Sequence, residues 1–165
     1  MTETTRYILE RTFDAPPDLV WEAWTNEEYQ SRWYGPGVTT VIHKNDPRPG
    51  GQWLVEMKGD GWSMFQRADY VTVDQPSRLV FVQGSADEDW NVIANPMMPD
   101  WPKLMHTDVS FSANSDGKTD LRLVWTPHEA SEAEIAMFAG ALEGMGRGWG
   151  MGMDILDELL AELQA

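Results

Sequence analysis

A chain of 165 residues with 42% apolar side chains is long enough and apolar enough to fold around a core, which excludes compositional disorder. Its net charge of −15, from 12 basic and 27 acidic residues, repels phosphate backbones and anionic lipid, so nucleic-acid binding and membrane adhesion are disfavoured. With no cysteine, disulfides, thiolate metal sites and cysteine nucleophiles are excluded, and no apolar run approaches the roughly 18 residues of a membrane span.

The start, Met1 to Arg6, lacks the basic and apolar blocks of a signal peptide, and no linker or repeat divides the chain. The expectation is one cytoplasmic domain over residues 1–165, without membrane insertion. Residues 6–13 read as a strand with Tyr7, Leu9 and Phe13 on one face. Asp14-Ala15-Pro16-Pro17 stops it and opens a short helix whose apolar side is Val20, Trp21, Ala23 and Trp24. Thr25-Asn26-Glu27-Glu28 has the capping-box pattern and predicts a second short helix ending near Trp33-Tyr34-Gly35-Pro36.

From Val38 the apolar period becomes two. Strands are predicted over Val38–Lys44, Gln52–Lys58, Trp62–Val73 and Arg78–Gln83, separated by Pro49-Gly50-Gly51, Gly59-Asp60-Gly61 and Gln75-Pro76-Ser77. A last hairpin covers 105–113 and 119–126. Trp53, Val55 and Met57 alternate inward, as do Met105, Val109 and Phe111, and Leu121, Leu123 and Trp125. These strands are mostly consecutive, which implies an antiparallel meander.

Ser131-Glu132-Ala133-Glu134 is a second capping box, and the chain then reads as helix to about Leu163. Ile135, Phe138, Leu142, Met145, Trp149, Met153, Leu156, Leu160 and Leu163 stay within about 40° of Trp149 on a helical wheel. Glu132, Glu143, Asp154 and Asp157 lie outside that stripe. Gly140, Gly144, Gly146, Gly148, Gly150 and Gly152 interrupt it, each costing about 1 kcal/mol relative to alanine in an exposed helix. A break near 146–150 is one alternative. The other is an unbroken helix whose glycines leave room for a ligand beside Trp149, or serve close packing of helix on sheet or local flexibility. The fold class expected is α+β, with a curved antiparallel sheet of about six or seven strands around a long C-terminal helix and two short helices after the first strand.

No catalytic motif is visible, so catalytic residues stay unassigned. The histidines His43, His106 and His128 lie far apart and show no metal-ligand spacing, so neither a metal nor any other cofactor is expected. His106 alternates out of phase with the inward residues. No GxSxG elbow occurs, and Gly144-Met145-Gly146-Arg147-Gly148-Trp149-Gly150 follows no strand and fails the dinucleotide and P-loop spacings. Paired acids across a cleft stay open, though the acids cluster on predicted surfaces such as Asp87-Glu88-Asp89. Arg32, Arg48, Arg67 and Arg122 are candidate polar anchors, with a solvent-facing role as the alternative.

Nine tryptophans and ten methionines supply more apolar surface than a small core needs, which points to a pocket or to a dense core. The candidate cavity lining is Trp53, Val55, Met57, Met105, Val109, Trp125, Leu142, Met145, Trp149 and Met153. The connection from Ser85 to Leu104 is long for a hairpin and holds a candidate lid of Trp90, Met97, Met98 and Trp101, with a packed loop whose aromatics cover the sheet edge as the alternative.

Several segments, in order along the whole chain, resemble the homologues of the activator of heat-shock protein 90 ATPase, in the SRPBCC (START-like) superfamily. They are Arg11-Thr12-Phe13-Asp14-Ala15-Pro16, Val20-Trp21-Glu22-Ala23-Trp24-Thr25, Arg32-Trp33-Tyr34-Gly35-Pro36, Asp46 to Trp53, Pro76 to Phe81, Trp101-Pro102 with Thr107, Trp125 to His128, and Gly148 to Leu159. The resemblance implies a helix-grip fold, a sheet curled around the last helix with a cavity between them. For function it implies sequestration of an apolar small molecule, with a cyclase- or dehydratase-type enzyme or a chaperone-contacting protein as alternatives. The expected partner is a hydrophobic small molecule, with chaperone contact as the alternative.

Overall fold

The computed structural model describes residues 5–34 and 37–165, so the Met1–Thr4 start and the Gly35-Pro36 end of the second predicted helix lie outside the described residues. In chain order the elements are β1 (Tyr7–Phe13), α1 (Pro17–Thr25), α2 (Glu27–Trp33), β2 (Thr39–Asn45), β3 (Gln52–Gly59), β4 (Trp62–Asp74), β5 (Arg78–Ala86), β6 (Met105–Ala113), β7 (Thr119–Pro127) and α3 (Glu132–Leu163). The strands form one antiparallel sheet of seven in the order β1-β7-β6-β5-β4-β3-β2. Strands β2 to β7 are a meander, and β1 closes onto β7 with Leu9 opposite Leu123. Gly61 and Gly117 take the left-handed backbone (φ 76° at each) that lets the β3–β4 and β6–β7 turns close without a Cβ clash.

Strand β5 runs three residues beyond its predicted end, because Gly84, Ser85 and Ala86 keep pairing with Arg67, Gln66 and Phe65. Gly84 has no side chain to continue the period-two signal. Its flatness is required: a Cβ there would sit 2.2 Å from the Lys103 carbonyl oxygen, where the return of the 87–104 connection crosses the strand.

The start of α2 corrects the sequence reading. Thr25 is not its cap; its hydroxyl donates to the Trp21 carbonyl at 2.8 Å and so finishes α1. Asn26 caps α2 by accepting the Glu28 N–H at 3.0 Å. In α3 both halves of the Ser131/Glu134 capping box are present. The helix then continues without a break for 32 residues, roughly 48 Å at 1.5 Å per residue, so the break considered at Gly146–Gly150 does not occur.

Apolar anchors on both sides of the glycine segment hold α3 against the sheet. On its N-terminal side Phe138 and Met145 pack with Met105 in one cluster, flanked by Tyr7, Trp101, Trp125 and Leu142. On its C-terminal side Met153, Leu156, Leu159 and Leu160 join the main core with Phe13, Trp24, Trp53, Phe81, Val109 and Leu123. Burying each large side chain contributes about 1.5–3 kcal/mol, more than a neighbouring glycine costs. Ile135, counted in the stripe, is 38% exposed. No helix is long and apolar enough to cross a membrane among the described residues.

Candidate functional site

Between the two apolar clusters the inner face of the sheet and α3 are not packed together throughout. They leave a recess of about 340 Å³. The helix contributes Gly144, Gly148 and Gly152, four residues apart on one flank, together with Met145 and Trp149. A Cβ added at Gly144 or Gly148 would meet nothing within 4 Å, so the missing side chains leave space there. Met57 of β3, Gln66 of β4, Gln83 of β5 and Trp125 of β7 line the sheet side, while Trp33 and Tyr34 close the end near α2.

The aromatic wall is braced ring on ring. Trp125 meets Trp149 edge to face, with centroids 5.6 Å apart, and lies 5.8 Å from Trp101. Phe138 supports both Trp101 and Trp125 from behind, at 5.8 and 6.0 Å. Trp101 is therefore part of the wall. The connection that carries it is tied down where Lys103 N–H donates to Glu134 Oε2 at 2.7 Å and His128 N–H donates to the Leu104 carbonyl at 2.9 Å.

The polar side of the recess was not anticipated. Tyr34 donates its phenol hydrogen to Gln66 Oε1 at 2.7 Å, and Gln83 stands beside Gln66 with its side chain unpartnered among the described residues. Burial holds the Tyr34 hydroxyl above its ordinary pKa, so it stays protonated and neutral. None of the lining residues carries a formal charge at neutral pH.

Of the ten lining candidates, Met57, Trp125, Met145 and Trp149 border the recess. Trp53, Val55, Val109 and Met153 are instead buried in the close-packed main core, with Trp53 wedged between Tyr34 and Phe81 at 4.9 and 5.6 Å. They face inward as their phase requires, but α1, α2 and the C-terminal half of α3 already fill the space in front of them. Met105 and Leu142 pack in the smaller cluster behind the wall.

The lid candidates also separate. Trp90 lies on the outer face of the sheet, 5.3 Å from both Phe65 and His43, with its carbonyl accepting from Arg67 Nη1 at 3.1 Å. Its left-handed backbone (φ 67°) turns the connection that way. Met97 and Met98 are exposed, at 79% and 39%. Only Trp101 of this group reaches the recess.

The candidate arginine anchors find partners elsewhere. Arg32 pairs with Glu162, Arg48 with Asp46 and Arg67 with Asp69, while Arg122 lies on the outer face opposite Glu10. On that outer face a wider, polar depression of about 600 Å³ is bordered by Glu10, Thr12, Ser110, Ser112, Asp120 and Arg122. Asp120 already accepts from Thr12 and Asn114, and among the described residues the depression holds no buried polar group in need of a partner. Size alone does not make it the better site.

Catalytic constellations are thin. On the outer face Glu56 accepts from Ser63 Oγ at 2.9 Å and lies 2.8 Å from His43 Nε2, so the carboxylate separates the imidazole from the hydroxyl it would have to deprotonate. His106 and His128 face each other with centroids 6.1 Å apart, away from the recess. Among the described residues no group of three or more His, Asp or Glu side chains converges as metal ligands would.

The family model for Activator of Hsp90 ATPase homolog 1-like protein matches residues 14–161. The chain belongs to this family. Among solved structures it resembles protein Ms6760 from Mycobacterium smegmatis, 25% identical over 96% of each chain, with a TM-score of 0.75. A protein from Arthrobacter aurescens is 23% identical over 95% of this chain and 86% of its own, with a TM-score of 0.76. One from Rhodobacter sphaeroides shares the fold at 20% identity, over 98% of this chain and 95% of its own, with a TM-score of 0.77. No curated protein matches. The helix-grip architecture of the chain is thus shared with these structures over nearly its whole length.

Proposed function

We propose that the protein binds an apolar, aromatic small molecule in the recess between α3 and the sheet. The observation that carries this reading is the pairing of a braced tryptophan wall with Gly144 and Gly148, whose absent side chains leave the facing volume open. A helix meant only to pack would gain about 1 kcal/mol at each exposed glycine by carrying alanine instead. A volume of about 340 Å³ suits a ligand of two or three fused rings, at the lower end of typical small-molecule sites. Titration of the purified chain with such hydrocarbons, followed by tryptophan fluorescence and melting temperature, tests it. Saturable quenching with a raised Tm is expected; absence of both across the panel would remove the reading.

The family's description supports a second reading, stimulation of a chaperone ATPase through a surface contact. Measuring the ATPase rate of heat-shock protein 90 with and without this chain distinguishes the two. Stimulation that is indifferent to recess-filling substitutions would favour the second.

A further inference from the structure

Away from the recess, two histidines converge. His106 of β6 is opposite Thr126 of β7, and His128 lies two residues further on, just past Pro127. The period of two puts both imidazoles on the outer face of the sheet, as diagonal neighbours on paired segments. Their ring centres are 6.1 Å apart, with the planes 30° from parallel. Both residues are half-buried. Among the described residues the histidine with a side-chain partner is His43, 2.8 Å from Glu56 Oε1; the rings of His106 and His128 have none. Asp108, next along the same face of β6, is already committed to Arg78, at 3.1 and 2.8 Å.

We propose that His106 and His128 together bind one late first-row transition-metal ion, copper(II), nickel(II) or zinc(II), through one nitrogen of each ring. Metal–nitrogen bonds of about 2.0–2.1 Å set two imidazoles on one ion with their centres about 5–6.5 Å apart, from tetrahedral to linear geometry. The observed spacing falls inside that range. Among the described residues no third His, Asp or Glu side chain joins the pair, so water completes the coordination shell. Imidazole suits these three ions, whereas magnesium and calcium need oxygen ligands. The net charge of −15 raises the local concentration of any divalent cation. The two ligands come from different segments, which is why the sequence shows no ligand spacing. Their position also has a structural consequence. His128 N–H donates to the Leu104 carbonyl at 2.9 Å, and Ser131 caps α3 three residues later. An ion held by both rings ties β6 to the β7–α3 turn, beside the end of the Trp101 connection, and so stabilises the chain. The site is independent of what the recess binds.

Zinc chloride titrated into the full, chelator-treated chain at about pH 8, where imidazoles are in general neutral, gives the first test. Followed by NMR, the ring signals of His106 and His128 should shift together and saturate at one equivalent, while His43 stays in place. Magnesium chloride should move none of them. By calorimetry copper(II) should bind more tightly than nickel(II) or zinc(II). His106→Gln and His128→Gln should each weaken nickel binding at least about tenfold, since losing even an outer-shell partner of a metal ligand costs that much. Zinc should also raise Tm, a gain that either variant removes. Zinc binding that leaves both rings unmoved, or shifts only one of them, would overturn the proposal. Nickel affinity retained by both variants would overturn it as well, as would no binding at about 1 mM zinc. The wild-type spectra decide the matter even if neither variant folds.

Discussion

Gly148 and Gly84 show opposite uses of a missing side chain. At Gly148 a Cβ would enter open space, so Gly148→Ala should stabilise α3 by about 1 kcal/mol, readable as a higher urea midpoint. Gly148→Leu should still fold but place its side chain in the recess, abolishing ligand-induced quenching; retained binding would move the site elsewhere. At Gly84 a Cβ meets the Lys103 oxygen at 2.2 Å, so Gly84→Ala should cost about 1–3 kcal/mol by forcing the connection off the strand. The sequence distinguishes these glycines poorly, because space is a property of what stands opposite. The same limit explains the site residues. Met57, Trp125, Met145 and Trp149 were legible because apolar residues on an inward phase must face the helix. Trp53 and Val109 share that phase, and only the packing of α1, α2 and α3 over them decides that they are core. Gln66 and Gln83 gave no signal, since a polar residue in a strand ordinarily reads as solvent-facing.

At the scale of elements, the capping box of α3 couples two parts of the chain. Glu134 accepts from Ser131 N–H at 3.0 Å with one oxygen and from Lys103 N–H at 2.7 Å with the other, so it fixes both the helix start and the end of the Trp101 connection. These backbone donors, Ser131 first, hold its carboxyl below the usual carboxylate range. The folded pKa lies below the unfolded one, so this stabilisation is full above about pH 4.3 and is lost as pH falls through the depressed value. Glu134→Gln keeps only one acceptor oxygen. Its stability deficit relative to the wild type should therefore be largest near neutrality and shrink in acid; a deficit independent of pH would contradict the assignment. Ser131→Ala should cost about 1 kcal/mol at any of these pH values, as the loss of an N-cap does. Both boxes were visible as sequence patterns, yet only this one forms. In Thr25-Asn26-Glu27-Glu28 the threonine hydroxyl turns back to α1, because two helices abut there without a linker.

Over the whole molecule, charge and topology pull in different directions. The order of elements was readable because the apolar period switches from two to 3.6 and the turns carry glycine or proline. The pairing of β1 with β7 joins the first strand to the last and leaves no trace in local pattern. Arg11 of β1 then reaches both Asp154 and Asp157 of α3, at 2.6 and 2.5 Å, which adds an electrostatic tie to that closure. Arg32 does the same for α2 and Glu162. These exposed or half-exposed pairs are each worth about 0–1 kcal/mol and weaken with salt. Against them stands a net charge of −15, whose self-repulsion salt also screens. With 27 acids and 12 bases most carboxylates have no cation to pair with, so repulsion is the larger of the two effects. Raising sodium chloride from about 0.01 to 0.15 M shortens the screening length from about 30 to 8 Å, and Tm should rise. Each kcal/mol gained corresponds to about 2–4 °C in a chain of this size. A fall in Tm would mean that the arginine ties of β1 and α2 to α3 outweigh the repulsion. Arg11→Leu separates the contributions, because it removes one tie and leaves Asp154 and Asp157 facing each other unscreened. That variant should gain more from salt than the wild type does.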